Sequence, residues 1–423
     1  MTKPDHRSRF QILAMIFITV VINYLDRTNI SIASLELNKE LHFSKVQMGY
    51  IFSAFSDTYA STQIPGGILV DRLRARILYP IILFLWSLMT LVQGMVHSFL
   101  AFVLCRGSIG IFEAPSYPIN NQVVTAWFPE EERASAIAVY TSGQFIGLAF
   151  LTPLLVLSQD ALGWRGLFII SGVIGFVWAG IWYIFYRDPQ TPWIQSDSEP
   201  ESPVTVQPKP SWADLREAFV HRKLWGIYLG QFCLGSLFIF FLTWFPTYLV
   251  EFRGLNFIKS GFLASIPFLL AFTGVLLSGF LSDFFVRRGY SKELSRKVPV
   301  LVGMLLSVSI IGANYTNNTF WVIFFPSVAF LGYGLSSITW VFVSIMAPRH
   351  MIGLVGGVFN FIGGLSAAIT PTIIGYLAQD GDFEPALLFI GIMALLGFFS
   401  YIFLVGKVEQ IKAGGISNTA LAA

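Results

Sequence analysis

The chain has 423 residues, of which 55% are hydrophobic and only 12% charged, and its formal net charge is +3. Soluble domains carry roughly 25% charged residues, so this composition excludes a water-soluble enzyme and leaves a polytopic membrane protein; the near-neutral charge gives no reason to expect a nucleic-acid partner. Only Cys105 and Cys233 are present, each inside an apolar run, so no disulfide framework, Cys-rich metal site or cofactor is expected.

Twelve apolar segments approach the ~20 residues that a helix needs to cross a bilayer. They fall at roughly 10–35, 46–69, 77–96, 99–121, 133–158, 164–186, 224–250, 258–282, 298–316, 319–347, 351–378 and 385–406. The first starts at Phe10 behind MTKPDHRSR and runs without a small-residue cleavage signal, which predicts a retained helix rather than a signal peptide. Within it, INYLDRTNIS sets Asp26 beside Arg27. A charge at the centre of a membrane helix costs roughly 2.5–3.5 kcal/mol and usually marks a pathway.

The second segment ends in GGILVDRLRAR, with Gly67 and Asp71, and the fourth carries Arg106 and Glu113 in CRGSIGIFEAPSYPINNQ. Seven residues, two helical turns, separate Arg106 from Glu113, which puts both on one face. After the sixth segment comes DPQTPWIQSDSEPESPVTVQPKPSW, a Pro- and Ser-rich polar stretch that reads as a linker, with a short surface helix from Trp212 to Lys223. Beyond the linker the pattern returns. SGFLSDFFVRR, with Gly279 and Asp283, echoes the first motif at an offset of 212 residues, and GGLSAAITP, from Gly363 to Pro371, echoes SGQFIGLAFLTP, from Gly143 to Pro153. Against the major facilitator motif that these stretches resemble, which puts a Gly and a base after the Asp-Arg, the first copy departs at Arg74 and Ala75.

Two parallel six-helix repeats are the layout of major facilitator transporters. The predicted fold is therefore all-α, with 12 transmembrane helices in two six-helix pseudo-symmetric bundles: residues 1–186, a cytoplasmic linker over 187–223, and residues 224–423. Alternate loops and both tails hold 20 of the 27 Lys and Arg residues, including Arg72, Arg74, Arg76, Arg287, Arg288, Lys292, Arg296 and Lys297. The opposite loops hold five: Lys39, Lys45, Arg165, Arg253 and Lys259. By the positive-inside rule both termini are expected in the cytoplasm.

Asp26, Arg27, Arg106 and Glu113 would together cost about 10 kcal/mol if buried unpaired, as much as a whole domain's stability. One reading is a neutral quartet that merely pins helices. Tyr24, Asn29, Tyr59, Gln63, Asn120, Asn121 and Gln144 supply more polarity than a pin requires, which favours a polar cavity. There an arginine fork suits a carboxylate, and acids, whose neutral form burial favours, suit protons. His6, His42, His97, His221 and His350 all sit in loops or near helix ends, so none is a central proton carrier. Without a GxxxxGK[ST], HExxH or GxSxG site, ATP coupling and hydrolysis are not indicated.

NYLDRTNIS, YIFSAFSDTYASTQIPGG, GIFEAPSYPINNQVVTAWFPEEERASA, YTSGQFIGLAFLTP, YLGQF, FFLTWFPTYL, SSITW and GGVFNFIGG together resemble the anion:cation symporter branch of the major facilitator superfamily. The resemblance covers essentially the whole chain. It implies proton-coupled uptake of a sugar-acid monoanion such as D-galactonate by a monomer in a bacterial inner membrane, with small-molecule organic anion, protons and lipid bilayer as the only partners. It further implies that Arg27 meets the substrate carboxylate, that Asp26 and Glu113 take protons, and that Arg106 is their charge partner. Tyr24, Tyr59, Gln144, Gln231, Ser337, Thr339, Trp340 and Asn360 would line the pocket. For Trp340 the competing reading is an aromatic interface residue, and for Gln231, Ser337, Thr339 and Asn360 it is interhelical hydrogen bonding. Hexuronate, glucarate or tartrate transport, or a non-transporting anion receptor, are the alternatives. Ser56-Asp57-Thr58 departs from the family, where aromatic and apolar residues stand. Asp57 is open to three roles: a further proton site, a contact to a substrate hydroxyl, or a packing residue at a water-filled crevice.

Overall fold

The computed structural model describes residues 6–128, 130–189, 216, 218–348 and 352–411. Among them there is no strand. The helices are α1 (His6–Leu41), α2 (Lys45–Arg72), α3 (Ala75–Gln93), α4 (Phe99–Glu113), α5 (Ser116–Trp127) and α6 (Glu130–Phe185), then α7 (Arg222–Thr243), α8 (Phe257–Arg287), α9 (Lys292–Ser307), α10 (Thr319–Leu335), α11 (Trp340–Met346), α12 (Ile352–Leu377) and α13 (Glu384–Phe399). Shorter turns, among them Tyr248–Phe252 and Val308–Tyr315, extend several of them.

Ten stretches among the described residues are long and apolar enough to cross a membrane. One of them, Val139–Phe185, contains two legs, because Gly163 breaks α6 with φ 70° and ψ 171°. That left-handed angle is open to glycine at no steric cost, so the predicted spans 133–158 and 164–186 meet at this residue. The twelfth crossing is α2, whose 28 residues suffice in length. Its Ser56-Asp57-Thr58 and Ser61-Thr62-Gln63 runs keep it below the apolarity of the others. Where 99–121 was expected as one helix, α4 stops at Glu113 and α5 resumes after Pro115, which has no N–H to continue the ladder. The break falls beside a charged residue. Most of the linker, the side chains of Asp71 and Asp283, and much of the Trp212–Lys223 segment lie outside the described residues; positions 216 and 218–220 are helical.

Helix starts follow local chemistry. Ser44 opens α2 with a capping box: Gln47 N donates to Ser44 Oγ (3.1 Å) and Ser44 N to Gln47 Oε1 (2.9 Å). Ser98, Ser291 and Asn318 accept from the first turns of α4, α9 and α10.

The Cα framework forms two compact units. The first comprises residues 1–202, 239–272 and 367–386. Its helices pack as α1 on α6, α3 on α6, α2 on α4 and α3 on α4, around Trp86, Trp182, Tyr79 and Tyr186, all buried. Segments from late in the chain join it at the C-terminal end of α1 and the start of α2. Ser31 Oγ donates to Thr243 O (2.6 Å), Ser53 and Thr372 share a hydroxyl bond (2.9 Å), and Lys45 pairs with Glu251, while Trp244 Nε1 donates to Pro371 O (3.1 Å) and ties the two late segments to each other. Gly49 allows this approach, since a Cβ there would meet the Pro371 carbonyl at 2.8 Å. The second unit, residues 203–238, 273–366 and 387–423, has its own core of Tyr228, Met304, Phe342, Phe359 and Tyr401.

Candidate functional site: a buried charge cluster

All four charges singled out in the first four segments come together in the first unit. Arg27 Nε donates to Glu113 Oε2 at 3.0 Å, and Arg27 Nη2 lies 2.9 Å from the same oxygen. The Glu113 side chain is fully buried and that of Arg27 is 12% exposed. The pair is therefore one-sided. Both guanidinium contacts converge on Oε2, leaving Glu113 Oε1 with no hydrogen-bond partner and Nη2 poorly aligned to donate to Oε2. Arg27 retains donor capacity that the protein does not use.

The guanidinium sits in an aromatic enclosure, with the rings of Tyr24, Phe55 and Tyr59 at 5.0, 4.9 and 4.9 Å. Such contacts hold a flat cation in a fixed plane. Tyr24 OH in turn donates to Gln144 Oε1 at 2.8 Å, tying α1 to α6. Phe55 also supports Arg106, whose guanidinium is 5.1 Å from the ring centroid.

Arg106 and Asp26 do not form a side-chain ion pair. Arg106 Nη1 donates instead to the backbone carbonyl of Asp26 at 3.2 Å. Asp26, fully buried, has Oδ1 3.5 Å from Asn29 Nδ2, while its Oδ2 has no partner. Trp86 and Thr90 of α3 lie beside that carboxyl. Two buried acids, the buried Arg106 and the slightly exposed Arg27 thus stand together with one oxygen of each acid unpaired. An ionised carboxylate in a dry site must be neutralised by a cation or by a proton. Only Glu113 has its cation in contact, so Asp26 is the acid for which the protein supplies least.

Tight packing fixes the layer. A Cβ on Gly110 would fall inside contact distance of Phe55 O and Thr58 Oγ1, and Thr58 Oγ1 donates to Gly107 O at 2.7 Å. These contacts set α2 against α4, and so Phe55 and Tyr59 against Arg27.

Seven of the twelve predicted site residues, Tyr24, Asp26, Arg27, Tyr59, Arg106, Glu113 and Gln144, belong to this cluster. The other five lie in the second unit. There Thr339 Oγ1 donates to Gln231 Oε1 at 3.2 Å, Ser337 and Ser278 hydroxyls are 3.4 Å apart, Trp340 packs edge-on against Phe359 at 5.0 Å, and Asn360 is exposed. Asp57 is not part of the cluster: it is exposed on α2, and it lies two residues from both Phe55 and Tyr59, about 200° around the helix from the face that meets Arg27. Phe55, Trp86 and Thr90 were not anticipated. Phe55 is one turn before Tyr59, a spacing that carried the only signal.

The sequence matches the Major Facilitator Superfamily over residues 16–371. The chain belongs to the Major Facilitator Superfamily. It is 47% identical over 422 residues to a D-galactonate transporter of Escherichia coli O6:H1, covering 97% of this chain and 98% of that one. Identity is 39% to a probable galactarate/D-glucarate transporter, GarP, of Escherichia coli K12, with 97% of each chain covered. A hexuronate transporter of Bacillus subtilis 168 is 30% identical, over 96% and 97% of the two chains. Among solved structures, a bacterial homologue of the human lysosomal transporter Spinster superposes with a TM-score of 0.75 at 19% identity, covering 95% of this chain and 96% of that one. The nucleoside transporter NupG gives 0.70 at 14%, covering 95% and 99%. Both share the superfamily fold. A multi-pass membrane transport protein, not an enzyme, follows from this membership.

Proposed function

We propose that this chain is a proton-coupled symporter that takes up a sugar-acid monoanion, D-galactonate first, across a bacterial inner membrane. The observation that carries the reading is Arg27, 12% exposed, caged by three rings and held by only one oxygen of Glu113. A substrate carboxylate and the Glu113 carboxylate compete for the same guanidinium. When Glu113 takes a proton its claim on Arg27 weakens, and the fork becomes available to the substrate. Coupling then arises from competition between two carboxylates for one cation. Arg106 offsets the remaining negative charge, and Asp26 is the second protonation site.

In this reading Tyr24, Tyr59 and Gln144 order the anchor, while Gln231, Ser337, Thr339, Trp340 and Asn360 meet the hydroxyls and carbon backbone of the sugar acid. The halves 1–186 and 224–423, joined by a cytoplasmic linker, alternate around the site, with both termini cytoplasmic. The 47% relative named for D-galactonate supports the substrate, and the relatives named for galactarate/glucarate and hexuronate keep a second organic anion as the runner-up. Competition of a panel of unlabelled sugar acids against radiolabelled D-galactonate uptake in vesicles tests the choice. D-Galactonate is expected to compete most strongly; stronger competition by a hexuronate or aldarate reassigns the substrate, and binding without uptake makes the chain a receptor.

If Asp26 and Glu113 both load, a monoanion moves with two protons and the complex carries one positive charge. One charge crossing ~100 mV is worth about 2.3 kcal/mol, roughly fifty-fold accumulation. In vesicles without a pH difference, an inside-negative potential is therefore expected to drive concentrative uptake, and Asp26→Asn to abolish that response. Uptake by the unmodified protein that ignores voltage eliminates the two-proton scheme.

A further inference from the structure

A second charged feature lies far from the cluster, where α3 begins and α6 ends. A cavity of about 320 Å³ is lined there by Arg74, Arg76, Ile77, Tyr183, Arg187 and Asp188. Three guanidinium groups face one carboxylate, an excess of two positive charges. From Arg76 to Trp86 and Thr90, which neighbour Asp26, is ten to fourteen residues along α3, about 15–21 Å at 1.5 Å per residue. The cavity is therefore no extension of the cluster.

Its cations are set in place, and among the described residues none of the three is in an ion pair. Arg187 Nη1 donates to the carbonyls of Tyr183 (3.3 Å) and Tyr186 (3.1 Å), which anchors the side chain without offsetting its charge. Arg76 lies 5.8 Å from the Tyr183 ring centroid, and its Nε is buried without a partner. Arg74, exposed, stands at the start of α3, a helix end with no side-chain cap.

An apolar strip leads away from this basic mouth. Ile77, Ile81 and Phe84 recur at helical spacing on one face of α3 and are each about half exposed (50%, 49% and 48%). Tyr183 and Val177 of the neighbouring α6 are similarly exposed. In a membrane-spanning chain such a strip meets acyl chains, and a basic pocket at its end meets what those chains are attached to. Basic pockets between membrane helices bind anionic lipid headgroups, with about 1 kcal/mol per Lys or Arg near the surface.

We propose that this cavity binds the phosphodiester headgroup of an anionic phospholipid such as phosphatidylglycerol, with its acyl chains laid along Ile77, Ile81 and Phe84. The chemistry recognised is a phosphate ester; the adjoining strip selects a lipid over a soluble phosphate. On the orientation proposed above, the site faces the cytoplasmic leaflet, but the binding itself does not depend on that orientation.

Native mass spectrometry of the full-length protein in detergent, titrated with phosphatidylglycerol or phosphatidylcholine, tests the site. One phosphatidylglycerol is expected to be retained in preference to phosphatidylcholine. Arg74→Gln with Arg187→Gln should weaken that binding on the order of twentyfold, about fivefold per arginine, without altering the size-exclusion profile. Arg288→Gln with Lys407→Gln, an equal loss of charge elsewhere, should leave it unchanged. Unchanged retention in the Arg74/Arg187 variant, or an equal loss in the Arg288/Lys407 variant, overturns the proposal. Displacement of the lipid by millimolar inorganic phosphate or by glycerophosphoglycerol assigns the cavity to a soluble phosphate and overturns it as well.

Discussion

Arg27→Lys is expected to lower D-galactonate uptake by at least about a hundredfold while leaving the protein folded. The charge survives the substitution but the geometry does not. Arg27 reaches Glu113 Oε2 through Nε and has Nη2 beside the same atom, with three aromatic rings near 5 Å holding its plane. An ammonium is a compact point charge with no planar fork, and it cannot offer the substrate carboxylate the two parallel donors that a guanidinium offers once Glu113 has released it. Charge-assisted hydrogen bonds contribute about 1.5–3 kcal/mol each. Losing two of them at 1.4 kcal/mol per tenfold corresponds to roughly two to four orders of magnitude in affinity. Isothermal titration of the purified variant separates binding from transport, and an affinity like that of the unmodified protein removes Arg27 from the anchor role.

The residues of this cluster were legible in the sequence because a charge inside an apolar run is expensive enough to demand a reason. Asp26, Arg27, Arg106 and Glu113 were all found by that contrast. Their partners were not legible. Arg27 and Glu113 are 86 positions apart, and nothing local says that Arg27 takes Glu113 while Arg106 takes only the backbone carbonyl of Asp26. Phe55 escaped for the opposite reason: an aromatic residue in a membrane helix stands out against nothing, although it touches both arginines. Asp57 shows the limit of the charge argument. It is as anomalous in sequence as Asp26, yet the helix turns it away from Arg27.

The fold was legible in the same uneven way. Apolar length predicted twelve crossings and the repeated motifs predicted the superfamily. Hydropathy ignores bond geometry, however, and therefore could not show that one residue, Gly163, forms the whole junction of two crossings. Nor could it show that segments near Thr243 and Thr372 pack against Ser31 and Ser53 in a single compact unit. Those contacts join residues 212 and 319 positions apart. They depend on tertiary packing through small residues such as Gly49, whose role appears only when the neighbouring carbonyl is in place.

Glu113→Gln is expected to retain substrate binding and to lose accumulation driven by a pH gradient. The amide keeps the shape of the acid but never carries its charge, so it imitates the protonated state permanently. On the proposed competition, Glu113 releases Arg27 before a substrate carboxylate takes it, and by linkage whatever favours the proton favours the anion equally. Affinity should therefore fall as pH rises, by as much as tenfold per pH unit for one coupled proton. In the Gln variant Arg27 is always available, and the part of the pH dependence that runs through Glu113 should disappear across the same range. Exchange of labelled for unlabelled substrate needs no net proton movement, so counterflow should persist. Net uptake against a gradient needs the empty carrier to return without its proton, which the amide cannot release. A variant that accumulates D-galactonate normally under a pH gradient places the coupling on the remaining buried acid, Asp26, ahead of Asp57, which is exposed on α2 outside the cluster.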